Sequence, residues 1–138
     1  MTYVVKDFQS QVRDWVEAAF GPEVADDKTE RNHRFLEEAL ELVQTCGCTA
    51  SEAHQLVDYV FSRPVGTLIE EVGGNMTTLM ALCTAQRVSA EYCGAYELSR
   101  NWGRIDVIRA KQAAKPKHAP LPSAAAGLAA ESLVPPVK

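Results

Sequence analysis

Two stretches put oxygen ligands at helical spacing: Glu37-Glu38-Ala39-Leu40-Glu41 and, further on, Glu70-Glu71-Val72-Gly73-Gly74-Asn75. With successive side chains about 100° apart around a helix, Glu37, Glu38 and Glu41 fall within an arc of about 100°. That arc lies opposite a stripe of Phe35, Leu36, Ala39, Leu40 and Val43. Glu71 and Asn75 are one turn apart on their own helix. Carboxylate-rich faces on separate helices have the donors a hard divalent cation takes, and such a cation can meet substrate phosphates. The plainer use is a solvated face, with Arg34 pairing to Glu37 and Glu38 at i,i+3 and i,i+4. Gly73 and Gly74 argue against that on the second helix. Each costs about 1 kcal/mol against alanine in a helix interior, and a close helix crossing or room for a ligand would give them a reason.

The elements that must position these residues are read from a 3.6-residue apolar period. Phe8, Val12, Trp15, Val16 and Ala19 form a first stripe, ended by Gly21-Pro22. Asp27-Lys28-Thr29-Glu30 resembles a capping box before the Phe35–Val43 stripe, which closes near Gly47. Thr49-Ala50-Ser51-Glu52 is a capping box ahead of Ala53, Leu56, Val57, Val60 and Phe61, and Pro64 stops that helix. A fourth helix carries Leu68, Ile69, Val72, Met76, Leu79, Met80 and Cys83. A fifth carries Leu98, Trp102, Ile105 and Ile108 and runs into Arg109 and Lys111. Short loops between such helices predict an all-α, antiparallel bundle of about five helices over residues 1–112. Trp15 and Trp102 read as core or dimer contacts, and His33 and His54 as surface residues.

From residue 113 to 138 the composition turns to Ala, Pro, Lys and Ser, and Pro116, Pro120, Pro122, Pro135 and Pro136 exclude a continuous helix. This stretch reads as a disordered tail. Hydrophobic content of 46% and charged content of 23% over 138 residues suit one soluble domain. The formal charge of −4 is uneven: residues 1–112 carry 11 Lys/Arg against 17 Asp/Glu. An acidic domain excludes the basic footprint of a non-specific nucleic-acid binder. No signal peptide and no membrane span are expected, so the expected compartment is cytoplasmic, with Cys46, Cys48, Cys83 and Cys93 reduced. Cys46-Gly47-Cys48 is not a standard zinc spacing; adding His54 would make a zinc site conceivable, but free cysteines are more often small buried apolar residues.

Arg34-Phe35-Leu36-Glu37-Glu38-Ala39-Leu40-Glu41-Leu42, followed by Glu70-Glu71-Val72-Gly73-Gly74, resembles the paired EExxE and ExxD motifs of the MazG-like all-α nucleoside triphosphate pyrophosphohydrolases. The resemblance spans roughly residues 5–112. It implies a Mg²⁺-dependent hydrolase, with Mn²⁺ as a possible substitute, that cleaves nucleoside triphosphates between the α and β phosphates in nucleotide-pool housekeeping. Carried over by residue, Glu38, Glu41 and Glu71 look like metal ligands, and Glu37 a further ligand or the base for water. Gly74 stands where the family has aspartate, and Asn75 is the residue suggested to replace it in part. Asn101, Arg104, Arg109 and Lys111, with Arg34, lie where phosphate-holding groups are expected. Arg109 and Lys111 serve equally as cations at a helix C-terminus.

A bundle of this size offers only a shallow cleft, so a homodimer or homotetramer is expected to complete the pocket. The competing reading is a catalytically impaired helical module that binds nucleotide or a protein partner. Gly74 favours it, and the intact Glu37–Glu41 set opposes it. Base and sugar preference are not legible, since one methyl or hydroxyl can decide them.

Overall fold

In the computed structural model, which describes residues 4–121, every regular element is a helix. They run α1 (Phe8–Ala25), α2 (Lys28–Thr45), α3 (Ala50–Phe61), α4 (Leu68–Ala85), α5 (Ala90–Trp102) and α6 (Ile105–Ala113). The all-α expectation holds. Six helices are found where about five were expected, because Gly103 and Arg104 (φ −121°, ψ 18°) separate α5 from α6. Glycine is the poorest helix former after proline, and Arg104 N–H closes a turn onto the Asn101 carbonyl. Among the described residues no helix is long and apolar enough to cross a membrane.

Local chemistry sets the helix ends. Asp7 caps α1 by accepting from Ser10 N–H at 2.8 Å. Thr49 and Glu52 form the full reciprocal capping box on α3. Thr67 accepts from Glu70 N–H at 3.4 Å and donates its hydroxyl to the Glu70 carboxylate at 2.6 Å. Helix α2 ends in a Schellman motif: Gly47 (φ 94°) turns the chain, and Cys48 N–H donates to the Val43 carbonyl at 2.9 Å.

Helix α4 ends the same way, with Val88 N–H donating to the Cys83 carbonyl at 3.0 Å, but Arg87 takes the left-handed position at φ 57°. A side chain there costs about 1–2 kcal/mol, more than the about 0.4–1 kcal/mol of unfolded-chain entropy that glycine adds. Arg87→Gly is therefore expected to stabilise the protein by about 0.5–1 kcal/mol. Urea unfolding checks this; a lower midpoint would contradict it.

The described residues divide into two compact units, residues 4–36 with 98–121, and residues 37–97. The first unit contains the close pairing of α1 with α6. Its packing includes Trp15 edge-on to Phe20 at 5.6 Å, and Ala19 is buried. Gly21 (φ 81°, ψ 165°) breaks α1, and Pro22 opens one further turn, where the sequence predicted an end. Pro22 has no N–H to give the Ala18 carbonyl. Arg109 of α6 supplies it instead, donating from Nη2 to Ala18 at 2.5 Å and from Nε to Ala19 at 3.1 Å.

The same unit buries one acid. Glu30 is 5% exposed, and its Oε1 lies 3.3 Å from Arg34 Nε, 3.4 Å from Lys115 Nζ and 3.6 Å from Arg31 Nη2. Lys115 belongs to the stretch read as tail. So do His118, 2.9 Å from Asp27, and Pro120, whose carbonyl accepts from Arg34. Residues 115–120 are thus tied to the start of α2, beyond the boundary drawn at 112. The rest of the predicted tail, 122–138, lies outside the described residues.

In the second unit the helices are well formed, yet every residue from His54 to Ala81 is exposed. Phe61, Leu68 and Ile69 are 86%, 80% and 87% exposed.

Candidate metal and phosphate site

Helix α2 displays its acids as the spacing requires. Glu37 and Glu41 line an apolar groove of about 370 Å³ between α2 and α3, together with Leu40, Val43, Ala53, His54 and Val57. Glu38 lies on the neighbouring line of the same helix. Its carboxyl is harder to ionise than an ordinary glutamate, first because it is partly desolvated, then because Glu41, Glu37 and Glu97 repel its charge. Glu97, on α5, was not singled out from sequence. A signal was there: Glu97 precedes Asn101 by four residues, as Glu71 precedes Asn75.

The α4 residues are placed differently. Glu70 is engaged with Thr67 at the helix cap. The Glu71 side chain folds back over Gly66, so closely that a Cβ on Gly66 would collide with its carboxylate. Asn75 donates its amide to the Glu71 backbone carbonyl at 2.8 Å. An added Cβ at Gly73 or Gly74 meets nothing within 4 Å, so no close crossing within the chain accounts for either glycine.

Among the described residues, no three His, Cys, Asp or Glu side chains converge on a point where a metal ion would sit. That covers the Cys46, Cys48 and His54 combination as well as the acids. The carboxylates of Glu37, Glu38 and Glu41 are the kind of donor Mg²⁺ takes. Among the described residues, Glu38, Glu41 and Glu71 do not form such a group.

The residues expected to hold phosphate lie in the first unit. Arg109 is committed to the α1 carbonyls, with Asp106 at 3.8 Å. Arg34 is held by Glu30 and Pro120. Asn101 and Arg104 are half-buried at the α5–α6 break, and Lys111 is exposed in the last turn of α6. The chain matches no family model, no curated protein and no solved structure in the comparisons made.

Proposed function

We propose that the protein is a Mg²⁺-dependent nucleoside triphosphate pyrophosphohydrolase of the cytoplasm, releasing monophosphate and pyrophosphate. The observation that supports this reading is the set of Glu37, Glu38 and Glu41 on one helix, with Glu37 and Glu41 lining the α2–α3 groove. Carboxylates at this spacing are the oxygen donors that a hard divalent cation takes. Glu38 and Glu41 would hold the ion, with Glu71 and Asn75 as further oxygen donors. When bound, Mg²⁺ supplies neutralisation of the phosphate charge and a more acidic water. Glu37 would serve as a further ligand or as the base for the attacking water.

A Mn²⁺ titration of the purified chain tests the reading. Saturable binding that Glu38→Gln weakens supports it; no binding to the folded chain sinks it. Gly74→Asp returns a carboxylate to the one position where the paired motif lacks it, into open space. It is expected to tighten Mn²⁺ binding about tenfold or more. An unchanged or weaker affinity would remove position 74 from the site.

The second reading, a module that binds nucleotide or a protein without turnover, is favoured by Glu71 lying over Gly66 instead of beside Glu38. Metal-independent binding of nucleotide, unaffected by Glu38→Gln, would select it.

A further inference from the structure

We propose that residues 116–121 are a latch that closes over Arg34, and that a phosphate-bearing anion opens it by taking the guanidinium for itself. Asp27, Glu30 and Arg34 are spaced by three and four residues, which puts them on one face at the start of α2. Each meets the segment that returns after α6. Glu30 Oε1 lies 3.4 Å from Lys115 Nζ, Asp27 Oδ2 lies 2.9 Å from His118 Nε2, and Arg34 Nη2 donates to the Pro120 carbonyl. The proposal rests on the hydrolase reading in one respect only, that Arg34 meets phosphate.

The three ties are unequal. Lys115 reaches a buried carboxylate and its own side chain is 17% exposed, so it fixes the root of the segment. Beyond it the ties are open to solvent: the His118 side chain is exposed, and so is the bond from Arg34 to Pro120. His118 also takes φ 60°, a left-handed backbone that disfavours any side chain. Opening the latch relieves that strain and leaves the Lys115 root in place.

An anion has the means to open it. Arg31, Arg34 and Lys115 all gather at the single Glu30 carboxylate, and their combined charge attracts a negative ligand. The closed latch leaves the Arg34 side chain 14% exposed, so a ligand that reaches it must displace something. Pro120 offers one neutral carbonyl oxygen. Phosphate offers two charged oxygens side by side, which match the guanidinium fork and bind it more strongly. The closed latch therefore lowers the apparent affinity for the anion by the fraction of chains that are open.

Limited trypsin digestion of the full chain tests this. Lys115 is followed by Pro116, which blocks cleavage there, so Lys117–His118 is the bond that reports on the latch. The probe is inorganic pyrophosphate without metal, compared with sodium chloride at equal ionic strength, since salt alone screens exposed ties. Pyrophosphate is expected to speed cleavage at this bond about threefold or more over the chloride control. Asp27→Ser keeps a good cap on α2 but is too short to hold His118. Without any pyrophosphate it should speed the same cleavage about threefold. Equal rates in pyrophosphate and chloride overturn the proposal, as does slower cleavage in pyrophosphate. A bond cut as fast in the wild type as in Asp27→Ser overturns it too. Turnover of a nucleoside triphosphate reports separately on the hydrolase reading. A chain that hydrolyses nucleotide while its latch ignores pyrophosphate sinks the latch alone, and a latch that answers pyrophosphate in a chain without turnover sinks the hydrolase alone.

Discussion

Glu38→Gln is expected to lower pyrophosphate release by about 100-fold or more, because it removes a carboxylate proposed to hold the ion on which the chemistry depends. The substitution keeps the size of the side chain and removes only its charge. The folded protein disfavours that charge, since desolvation and the neighbouring acids hold the Glu38 carboxyl above the usual carboxylate range. The sign for stability is therefore opposite to the sign for activity. A group whose carboxylate is disfavoured by folding is relieved when neutralised, so the variant should melt no lower than wild type. Removing a like-charged neighbour on a helix is worth about 0.2–0.5 kcal/mol. Turnover measured beside a melting curve separates the two effects. A variant that melts lower and loses activity in proportion would mean Glu38 is structural, and unchanged turnover would return it to a solvated face.

Glu30→Ala is expected to cost about 3–5 kcal/mol, the loss that follows when one partner of a buried charge cluster is removed. One carboxylate oxygen lies within 3.6 Å of three cations, and the residue is 5% exposed. Alanine would leave Arg31, Arg34 and Lys115 without the acid that gathers them, in surroundings with little water to take its place. The exposed pair Arg13–Glu17, at 2.9 Å, is the internal control. Its loss through Glu17→Ala should change stability by no more than about 1 kcal/mol, because solvent screens such pairs. Denaturant unfolding of both variants decides the matter; similar midpoints would show that the Glu30 cluster contributes no more than a surface pair.

Several helix starts and stops were legible from local rules, but the break at Gly103 and the further turn after Pro22 were not. Thr49 and Glu52 form the expected box, and Gly47 ends α2 because only a left-handed residue lets Cys48 reach the Val43 carbonyl. Where a distant residue decides, the sequence was silent. Glu30 reads as the acid of a capping box, and its N–H does bond to Asp27 at 3.1 Å. Its carboxylate, however, goes to three cations, one of them Lys115, which no local pattern can connect to it. Arg109 reads as a phosphate ligand or a cation at its own helix end. Its actual partners are carbonyls on α1, one of them left without a helical donor by Pro22.

The acids of α2 were found by spacing alone, because one helix sets their relation to each other. Glu97 joins them from another helix, and Glu71 does not, which is tertiary information. The period of α4 shows which face is apolar and says nothing of what covers it.

The central claim is cleavage between the α and β phosphates, and product analysis tests it most directly. The full chain is incubated with Mg²⁺ or Mn²⁺ and a panel of ribo- and deoxynucleoside triphosphates, and pyrophosphate is separated from orthophosphate. The account predicts pyrophosphate and the matching monophosphate in equal amounts from at least one nucleotide. Orthophosphate with diphosphate, or no turnover of any nucleotide by a folded protein, would contradict it.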